Sequence, residues 1–263
     1  QGEYYLTDLV EIFAKEGRKV DAFVLADPEE TVGINNRKQL AQAREILQHR
    51  ILEKHLDNGV TIIDPKRVYI EPDVEIASDV EIWPDCYLLG STKIEEDVLL
   101  GPGVYLKNCE VHQGVHMEYT RAEDAVIGQE THVGPYTYLR PGTVIGEQCR
   151  IGDFVEIKNA NIGDGTKVSH LSYVGDADLG KKINVGCGTV FVNYDGQNKY
   201  RSTIEDKAFL GCNSNYVAPV RVGENAYVAA GTTVTEDVPA DALSIGRVRQ
   251  TNKLGWAKDK SKK

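Results

Sequence analysis

Residues 127–157 read IGQETHVGPYTYLRPGTVIGEQCRIGDFVEI, and they contain the repeat that decides the fold. An aliphatic residue stands at every sixth position, often followed by glycine: Ile127, Val133, Leu139, Ile145, Ile151 and Ile157. Small or β-branched residues lie two positions earlier: Ala125, Thr131, Thr137, Thr143, Cys149 and Val155. A period of six suits neither a helix nor one long strand. It predicts a solenoid in which a short strand and a turn alternate, with the aliphatic residues inside.

The same period continues on both sides of this stretch. Upstream it includes Ile70, Ile76, Ile82, Leu88, Ile94, Leu100 and Leu106, with Val68, Val74, Val80, Cys86, Thr92, Val98 and Val104 as the second column. Downstream it includes Ile204, Leu210, Tyr216, Val222, Val228 and Val234. One repeat cannot offset its own ordering cost of about 1–2 kcal/mol per residue, so the repeats must stack into a rod.

This pattern resembles the hexapeptide-repeat family, whose fold is a left-handed parallel β-helix with triangular coils of three hexads. The chain is therefore expected to be mainly β. The left hand is implied by the resemblance alone, because the general rule for parallel crossovers favours the right hand.

Composition limits the classes of protein. The longest apolar stretches of the 263 residues are far shorter than the ~20 residues that span a bilayer, which predicts no membrane partner. A formal charge of −10 disfavours nucleic acid as a partner. Five cysteines, an odd number without paired metal spacing, indicate reduced thiols and a cytoplasmic protein.

The ends of the chain differ from the rod. The apolar spacing of residues 6–13 predicts a helix, and residues 20–25 a short strand. Residues 36–59 predict one long amphipathic helix, with Asn35 or Asn36 as N-cap and Gly59 just past its end. The helix–strand pair is too small for a domain and no initiator methionine precedes it, so we expect a fragment of a longer protein. Residues 251–263 form a basic, solvated tail.

Five motifs make a resemblance more specific: QGEYYLTD (1–8), GINNR (33–37), LRPG (139–142), NYDG (193–196) and AAGTTVT (229–235). In this order they resemble the bifunctional bacterial N-acetylglucosamine-1-phosphate uridyltransferase/glucosamine-1-phosphate N-acetyltransferase family, over essentially the whole chain. The resemblance implies a nucleotidyltransferase remnant at 1–35, a linker helix at 36–59 and a left-handed β-helix acetyltransferase domain at 60–250.

The implied activity is transfer of acetyl from acetyl-CoA to the amine of glucosamine 1-phosphate, which gives N-acetylglucosamine 1-phosphate for UDP-GlcNAc and cell-wall synthesis. The Gly-rich nucleotide motif of the uridyltransferase half is absent from these residues. Asn35 matches that half's ligand to Mg2+, although as a helix cap it needs no metal. The family also implies a homotrimer with active sites between neighbouring rods.

Departures from the period cluster between residues 158 and 201, and there we expect the chemistry. The interval shortens after Ile157 and again after Val174, and it is lost across the polar residues 193–201. His170 matches the family's general base, and imidazole, with a reference pKa of about 6.5, suits neutral pH. Glu156 matches the carboxylate that orients the imidazole or the sugar. From the residues alone, His170 is better explained as a hydrogen-bonded structural residue, and the alternative for Glu156 is an outward-facing solvated charge.

The resemblance also assigns ligand contacts. Those to the sugar phosphate are Arg140, Lys158, Tyr173, Asn184 and Lys199. Those to acetyl-CoA or its acetyl group are Cys187, Asn193, Tyr194, Cys212, Ala230 and Arg247. Cys187 and Cys212 replace a common alanine and serine of the family. A thiol donates a hydrogen bond to a developing oxyanion less well than a hydroxyl, so Cys212 suits the serine's role as an oxyanion donor less well. A covalent nucleophile is the alternative for Cys212.

Two other functions compete with acetyl transfer. A γ-type carbonic anhydrase uses the same rod but needs three histidine ligands to zinc that converge between subunits. His112, His116, His132 and His170 are present without that family's spacing. A non-catalytic β-solenoid, structural or ice-binding, would show regular outward threonine ladders and no interruption.

Overall fold

The computed structural model describes residue 2 and residues 5–258, and divides the chain into two compact units, Gln1–Leu47 and Gln48–Lys263. Part of the first motif and the last five residues of the basic tail lie outside the described residues. In the first unit, helix α1 spans Asp8–Lys15, as predicted, and a 3₁₀ turn spans Pro28–Thr31.

The strand predicted for residues 20–25 is wrong. These residues have no regular secondary structure, and Phe23 and Val24 are exposed. In the described chain the first strand begins at Thr61, so this unit offers no strand with which the segment could pair. β-Propensity without a hydrogen-bonding partner does not make a strand.

Helix α2 spans Arg37–Asp57 and begins at a side-chain cap. Oδ1 of Asn36 accepts a hydrogen bond from the Gln39 N–H at 2.9 Å, which identifies Asn36 as the N-cap. The Gln39 side chain reaches back to accept from the Asn35 N–H at 2.7 Å. The helix ends before Gly59, whose φ of +88° is a conformation that glycine adopts without strain.

The amphipathic side predicted for α2 is only partly covered. Leu52 and His55 are buried, and Ile51 packs against the core of the second unit. Three other apolar residues of the predicted side are exposed: Leu40, Leu47 and Leu56.

The second unit is a parallel β-solenoid, entered through a 3₁₀ turn at Pro65–Arg67. Its first face has eleven strands. They are Thr61–Ile62, Glu81–Ile82, Leu99–Leu100, His116–Met117, His132–Val133, Arg150–Asp153, Lys167–His170, Asn184–Val185, Phe209–Leu210, Tyr227–Val228 and Leu243–Ser244.

The other two faces form one sheet of seventeen strands, because two long strands belong to both. The second face contains Val68–Ile70, Cys86–Leu89, Tyr105–Lys107, Thr120–Glu123, Thr137–Leu139, Val190–Val192, Asn215–Val217 and Thr233–Val234. The third contains Glu75–Ile76, Lys93–Ile94, Glu110–Val111, Ala125–Ile127, Thr143–Ile145, Ser202–Ile204 and Arg221–Val222. The shared strands are Glu156–Ile162 and Tyr173–Leu179.

Burial confirms the predicted columns, since every one of their residues is buried. Core threonines satisfy their hydroxyls on the next coil. Oγ1 of Thr131 donates to the Gly146 carbonyl at 2.9 Å, and Oγ1 of Thr137 donates to that of Gly152 at 2.6 Å. The left-handed sense of the coil stays a prediction.

The core also continues where the six-residue count shows no repeat, between residues 107 and 124. Cys109, Val111, Val115 and Met117 are buried there. The strand His116–Met117 pairs in parallel with both neighbouring coils. Five-residue steps between inward residues hide this coil from a strict period.

The interruption at residues 193–201 is an insertion into one coil. Thr189 and Ser214 occupy equivalent positions on adjacent coils, and they are 25 residues apart in sequence. The equivalent residues Thr131 and Cys149 of a regular coil are 18 apart. The extra residues form a loop closed by an antiparallel bridge between Tyr194 and Lys199. The departure from the period is therefore a projecting loop.

Candidate active site

One row of side chains occupies equivalent positions on successive coils where the first face ends. Asp153 pairs with His170. The strand pair Val168 and Val185 aligns His170 with Cys187 two residues on. Backbone hydrogen bonds from Asn213 to Cys187 and from Gly231 to Cys212 extend the register. The row, which we call the corner row, is therefore Asp153, His170, Cys187, Cys212 and Ala230. Since parallel strands lie about 4.8 Å apart, it is roughly 19 Å long.

His170 is oriented by a carboxylate that the sequence did not predict. Its Nδ1 lies 2.6 Å from Oδ1 of Asp153, and both side chains are partly exposed. The hydrogen bond from His170 lowers the pKa of Asp153, so this carboxylate stays ionised and accepts the Nδ1 proton. The tautomer that results leaves the lone pair of Nε2 free for a ligand.

Glu156 does not orient the imidazole in this structure. Its Oε1 accepts a hydrogen bond from Nη1 of Arg140 at 2.8 Å, which raises the pKa of the guanidinium. Glu156 and Tyr173 are paired residues on the second face. This carboxylate therefore belongs to a second group of side chains, beside the corner row.

That second group contains all three cations assigned to the sugar phosphate, Arg140, Lys158 and Lys199. Nζ of Lys158 lies 3.5 Å from Oδ2 of Asp176 and beside Lys199. The hydrogen bond with Lys158 and its positive charge lower the pKa of Lys199. Two neighbouring lysines beside one carboxylate leave positive charge that is not fully balanced, which favours a bound anion.

Asp176 is a site residue that the sequence analysis missed. It is buried, and its carboxylate also accepts hydrogen bonds from the amides of Asn159, at 2.6 Å, and of Asn193. Nδ2 of Asn193 further approaches Oη of Tyr173 at 3.5 Å. The signal was available, because Asp176 lies 17 residues after Asn159, one coil length in this region.

Arg201 fixes the end of the inserted loop. Its Nε donates to Oδ2 of Asp178 at 2.6 Å, and its Nη1 donates to the Asn159 carbonyl at 2.8 Å. Tyr194 is exposed on the same loop and donates through Oη to the Gly196 carbonyl at 2.6 Å. These hydrogen bonds of Arg201 hold the loop that carries Lys199 against the coil that carries Lys158.

The remaining predicted residues lie along the first face and its edge. Cys187 and Cys212 are free thiols on the corner row, the second of them exposed. Nη1 of Arg247 donates to the Ala230 carbonyl at 2.7 Å, at the far end of that row from Asp153. Asn184 lies on the first face, where it pairs with Phe209.

The geometry of the described residues does not favour either competing function. Among residues 5–258 no cluster of three or more His, Cys, Asp or Glu side chains could hold a metal ion. The threonine rows point inward: Thr92, Thr120, Thr131, Thr137, Thr143, Thr166, Thr189 and Thr232 are buried. An ice-binding face would need such rows outside. No helix in the described part of the chain is long and apolar enough to cross a membrane.

Comparisons with known proteins agree with the repeat. A family described as bacterial transferase hexapeptide (six repeats) matches residues 124–159, and one described as hexapeptide repeat of succinyl-transferase matches residues 202–236. Among solved structures, the Francisella novicida UDP-N-acetylglucosamine acyltransferase has a TM-score of 0.50 and 18% identity, over 70% of this chain and 66% of that one. At that identity the similarity shows the fold alone.

Sequence relatives are much closer. The bifunctional protein GlmU of Brevibacillus brevis is 53% identical over 98% of this chain and 56% of its own length. That of Clostridioides difficile is 50% identical over 100% and 57%. The chain spans about half the length of the curated relatives it matches. It belongs to the hexapeptide-repeat family of the bifunctional protein GlmU.

Proposed function

We propose that this chain transfers acetyl from acetyl-CoA to the amine of glucosamine 1-phosphate. The observation that carries the proposal is that a base and an anion site share one coil. His170 ends a strand of the first face, and Tyr173 begins the next strand, on the second face. Three residues span at most about 10 Å, and the amine and phosphate of this sugar are on adjacent carbons.

His170 is the proposed general base. Nε2 takes a proton from the amine as the nitrogen attacks the thioester carbonyl carbon, and the carbon–sulfur bond to coenzyme A breaks. The proton on the imidazole then passes to the departing thiolate, so the base is restored. Asp153 holds the ring and stabilises its charged form.

The anion site is proposed to bind the phosphate. Lys158 and Lys199 supply charge, Tyr173 a hydroxyl donor and Arg140 a guanidinium that grips oxygens in pairs. Glu156 holds Arg140 at 2.8 Å and so has a positioning part on this proposal. Asn184 is proposed to reach the sugar from a neighbouring rod.

The corner row is proposed to bind acetyl-CoA. Its length of roughly 19 Å suits an extended pantetheine arm, with small side chains at Cys187, Cys212 and Ala230 along the path. Arg247, beyond Ala230, would meet the phosphates. Asn193 and Tyr194, on the inserted loop, border the acetyl end.

A homotrimer is part of the proposal. Exposed apolar residues form a ladder of Tyr119, Tyr136, Phe154 and Leu171, the last two of which directly follow Asp153 and His170 of the corner row. The rings of Tyr119 and Tyr136, and of Tyr136 and Phe154, stack with centroids 5.4 Å apart. Such a row beside the base favours a neighbouring copy, because exposed contiguous apolar surface indicates association.

The whole protein's other activity and its location are also proposals. Asn35 would contribute one ligand to the Mg2+ of uridyl transfer, which needs further acidic and phosphate oxygens. The side chain that caps α2 is that of Asn36, so Asn35 is not needed as a cap. Five free cysteines suit a reducing, cytoplasmic setting.

The test is to incubate the chain with acetyl-CoA and glucosamine 1-phosphate and identify products by mass spectrometry. We expect equal amounts of coenzyme A and N-acetylglucosamine 1-phosphate. Glucose 1-phosphate, which lacks the amine, is the matched control and should give neither. Release of coenzyme A that ignores the amine would contradict the proposal.

A further inference from the structure

From a buried corner, Asp176 holds Lys158 of the proposed sugar-phosphate site together with Asn159 and Asn193 beside it. Only 7% of the residue is exposed. Its Oδ1 accepts from Nδ2 of Asn159 at 2.6 Å. Its Oδ2 accepts from Nδ2 of Asn193 and lies 3.5 Å from Nζ of Lys158. The two carboxylate oxygens thus contact different side chains.

The Oδ1 contact is part of the solenoid's construction. The same pair occurs three coils earlier along the rod's corners, where Nδ2 of Asn108 donates to Oδ1 of Asp124 at 3.0 Å. Both aspartates have a positive φ, 46° and 49°, which Asp and Asn tolerate. Asp124 is exposed, and in the described part of the chain its carboxylate holds no second amide or lysine. The Oδ2 contacts are therefore specific to Asp176.

The Oδ2 contact fixes the direction of the hydrogen bonds that follow it. An ionised carboxylate only accepts, so the atom of Asn193 that faces it must be the NH₂ group. The second hydrogen of that group faces Oη of Tyr173. Oδ1 of Asn193 is left as an acceptor for a ligand, and the Tyr173 hydroxyl hydrogen is left as a donor.

We infer that Asp176 is a positioning residue for recognition of the substrate amine. It holds Asn193 so that Oδ1 accepts a hydrogen bond from the amino group, while Tyr173 donates to the phosphate. The inference rests on the proposed function and names the side chain that sets its preference for an amino sugar. Without the carboxylate, nothing obliges the Asn193 amide to keep this orientation.

Asp176→Asn tests the direction of these bonds with little change in shape. The new amide keeps Oδ1 toward Asn159 and presents NH₂ to Asn193, which must flip and offer its own NH₂ to the ligand. An amine cannot accept there in its protonated form, whereas a hydroxyl donates or accepts equally well. Affinity for glucosamine 1-phosphate should fall about tenfold, and affinity for glucose 1-phosphate should stay the same.

The ratio of the two affinities, measured by calorimetry on the full chain, is the readout. Any effect of the substitution on phosphate binding through Lys158 is common to both ligands and cancels in the ratio. Asp124→Asn, at the equivalent corner, should leave the ratio unchanged, and similar melting temperatures of both variants would confirm that each is folded.

The outcomes distinguish failure of the proposed function from failure of the inference about Asp176. Wild-type protein that binds neither sugar phosphate overturns the proposed function and the inference with it. Wild-type protein that prefers the amine, beside an Asp176→Asn variant with the same preference, overturns the role of Asp176 alone. A variant in which both affinities fall equally assigns Asp176 to the structure and also overturns the inference.

Discussion

Replacing His170 with alanine removes the group that the proposed reaction needs to accept a proton. General-base catalysis contributes a factor of about 10²–10⁴, so kcat should fall by that factor. At about 1.36 kcal/mol for each tenfold change, the activation free energy rises by about 2.7–5.4 kcal/mol. The acetyl-CoA KM should change little, because the other corner-row residues remain.

The fold should tolerate this change. The His170 side chain is 58% exposed, and its side-chain hydrogen bond to Asp153 is at the surface. Surface substitutions usually change the free energy of unfolding by less than about 0.5 kcal/mol. For a domain of this size, that corresponds to a melting-temperature shift of about 1–2 °C. Loss of turnover with an unchanged melting curve would show that His170 acts in catalysis and does not stabilise the fold.

Asp153→Asn sharpens the test. The amide lacks the charge that stabilises the imidazolium and can present its NH₂ group to Nδ1 of His170, which favours the wrong tautomer, so we expect kcat to fall by up to about 10⁴-fold. Because Asp153 acts through His170, the double variant should be no slower than His170→Ala. His132→Ala, an exposed histidine of the same face, is the matched control and should retain full turnover.

Steady-state kinetics of coenzyme A release, followed by mass spectrometry, measures all four variants. Near wild-type turnover in His170→Ala would remove histidine from the mechanism. Additive losses for Asp153 and His170 would show that the carboxylate acts on the substrate directly.

Three further changes have defined outcomes. Cys212→Ser should keep or raise kcat, and no acetyl-enzyme should accumulate with acetyl-CoA alone; a trapped adduct would establish covalent transfer. Gly128→Ala should lower the free energy of unfolding by about 1–3 kcal/mol, because the new Cβ would lie 2.5 Å from the Gly146 carbonyl carbon; an unchanged melting temperature would contradict the packing. Arg201 lowers the pKa of Asp178, so the stability that their pair adds is present above about pH 3.9 and lost as pH falls through the lower folded pKa; hydrogen-exchange protection factors in residues 193–201, corrected for the intrinsic rate, should fall there in the wild type and show no such fall in Arg201→Gln.

The core was predictable because it depends on one local rule. A buried column requires an apolar residue at a fixed interval, and burial of the predicted residues follows directly from it. The rule failed at residues 107–124, since a coil stays closed when one face is shortened by a residue. It also gave no help at residues 20–25, where a strand depends on a partner and not on its own composition.

The site was less predictable, because its contacts join residues one coil apart. Asp153 lies 17 residues before His170, and Asp176 lies 17 after Asn159. A search at the six-residue period passes over both pairs. Counting whole coils in the region where the period shortens would have found them, whereas resemblance alone suggested Glu156 as the partner of the imidazole.

The same geometry explains why the irregular coils carry the chemistry. In a regular coil each face has a separate short strand, and a corner lies between neighbouring faces. The strands Glu156–Ile162 and Tyr173–Leu179 run without a break across one corner, which brings Asp176 and Lys158 onto one continuous ladder. The inserted loop then adds Lys199 and Asn193 from the next coil. A regular solenoid offers repeated side chains in rows; a site for two different substrates needs neighbours that differ, and here only a change of coil length supplies them.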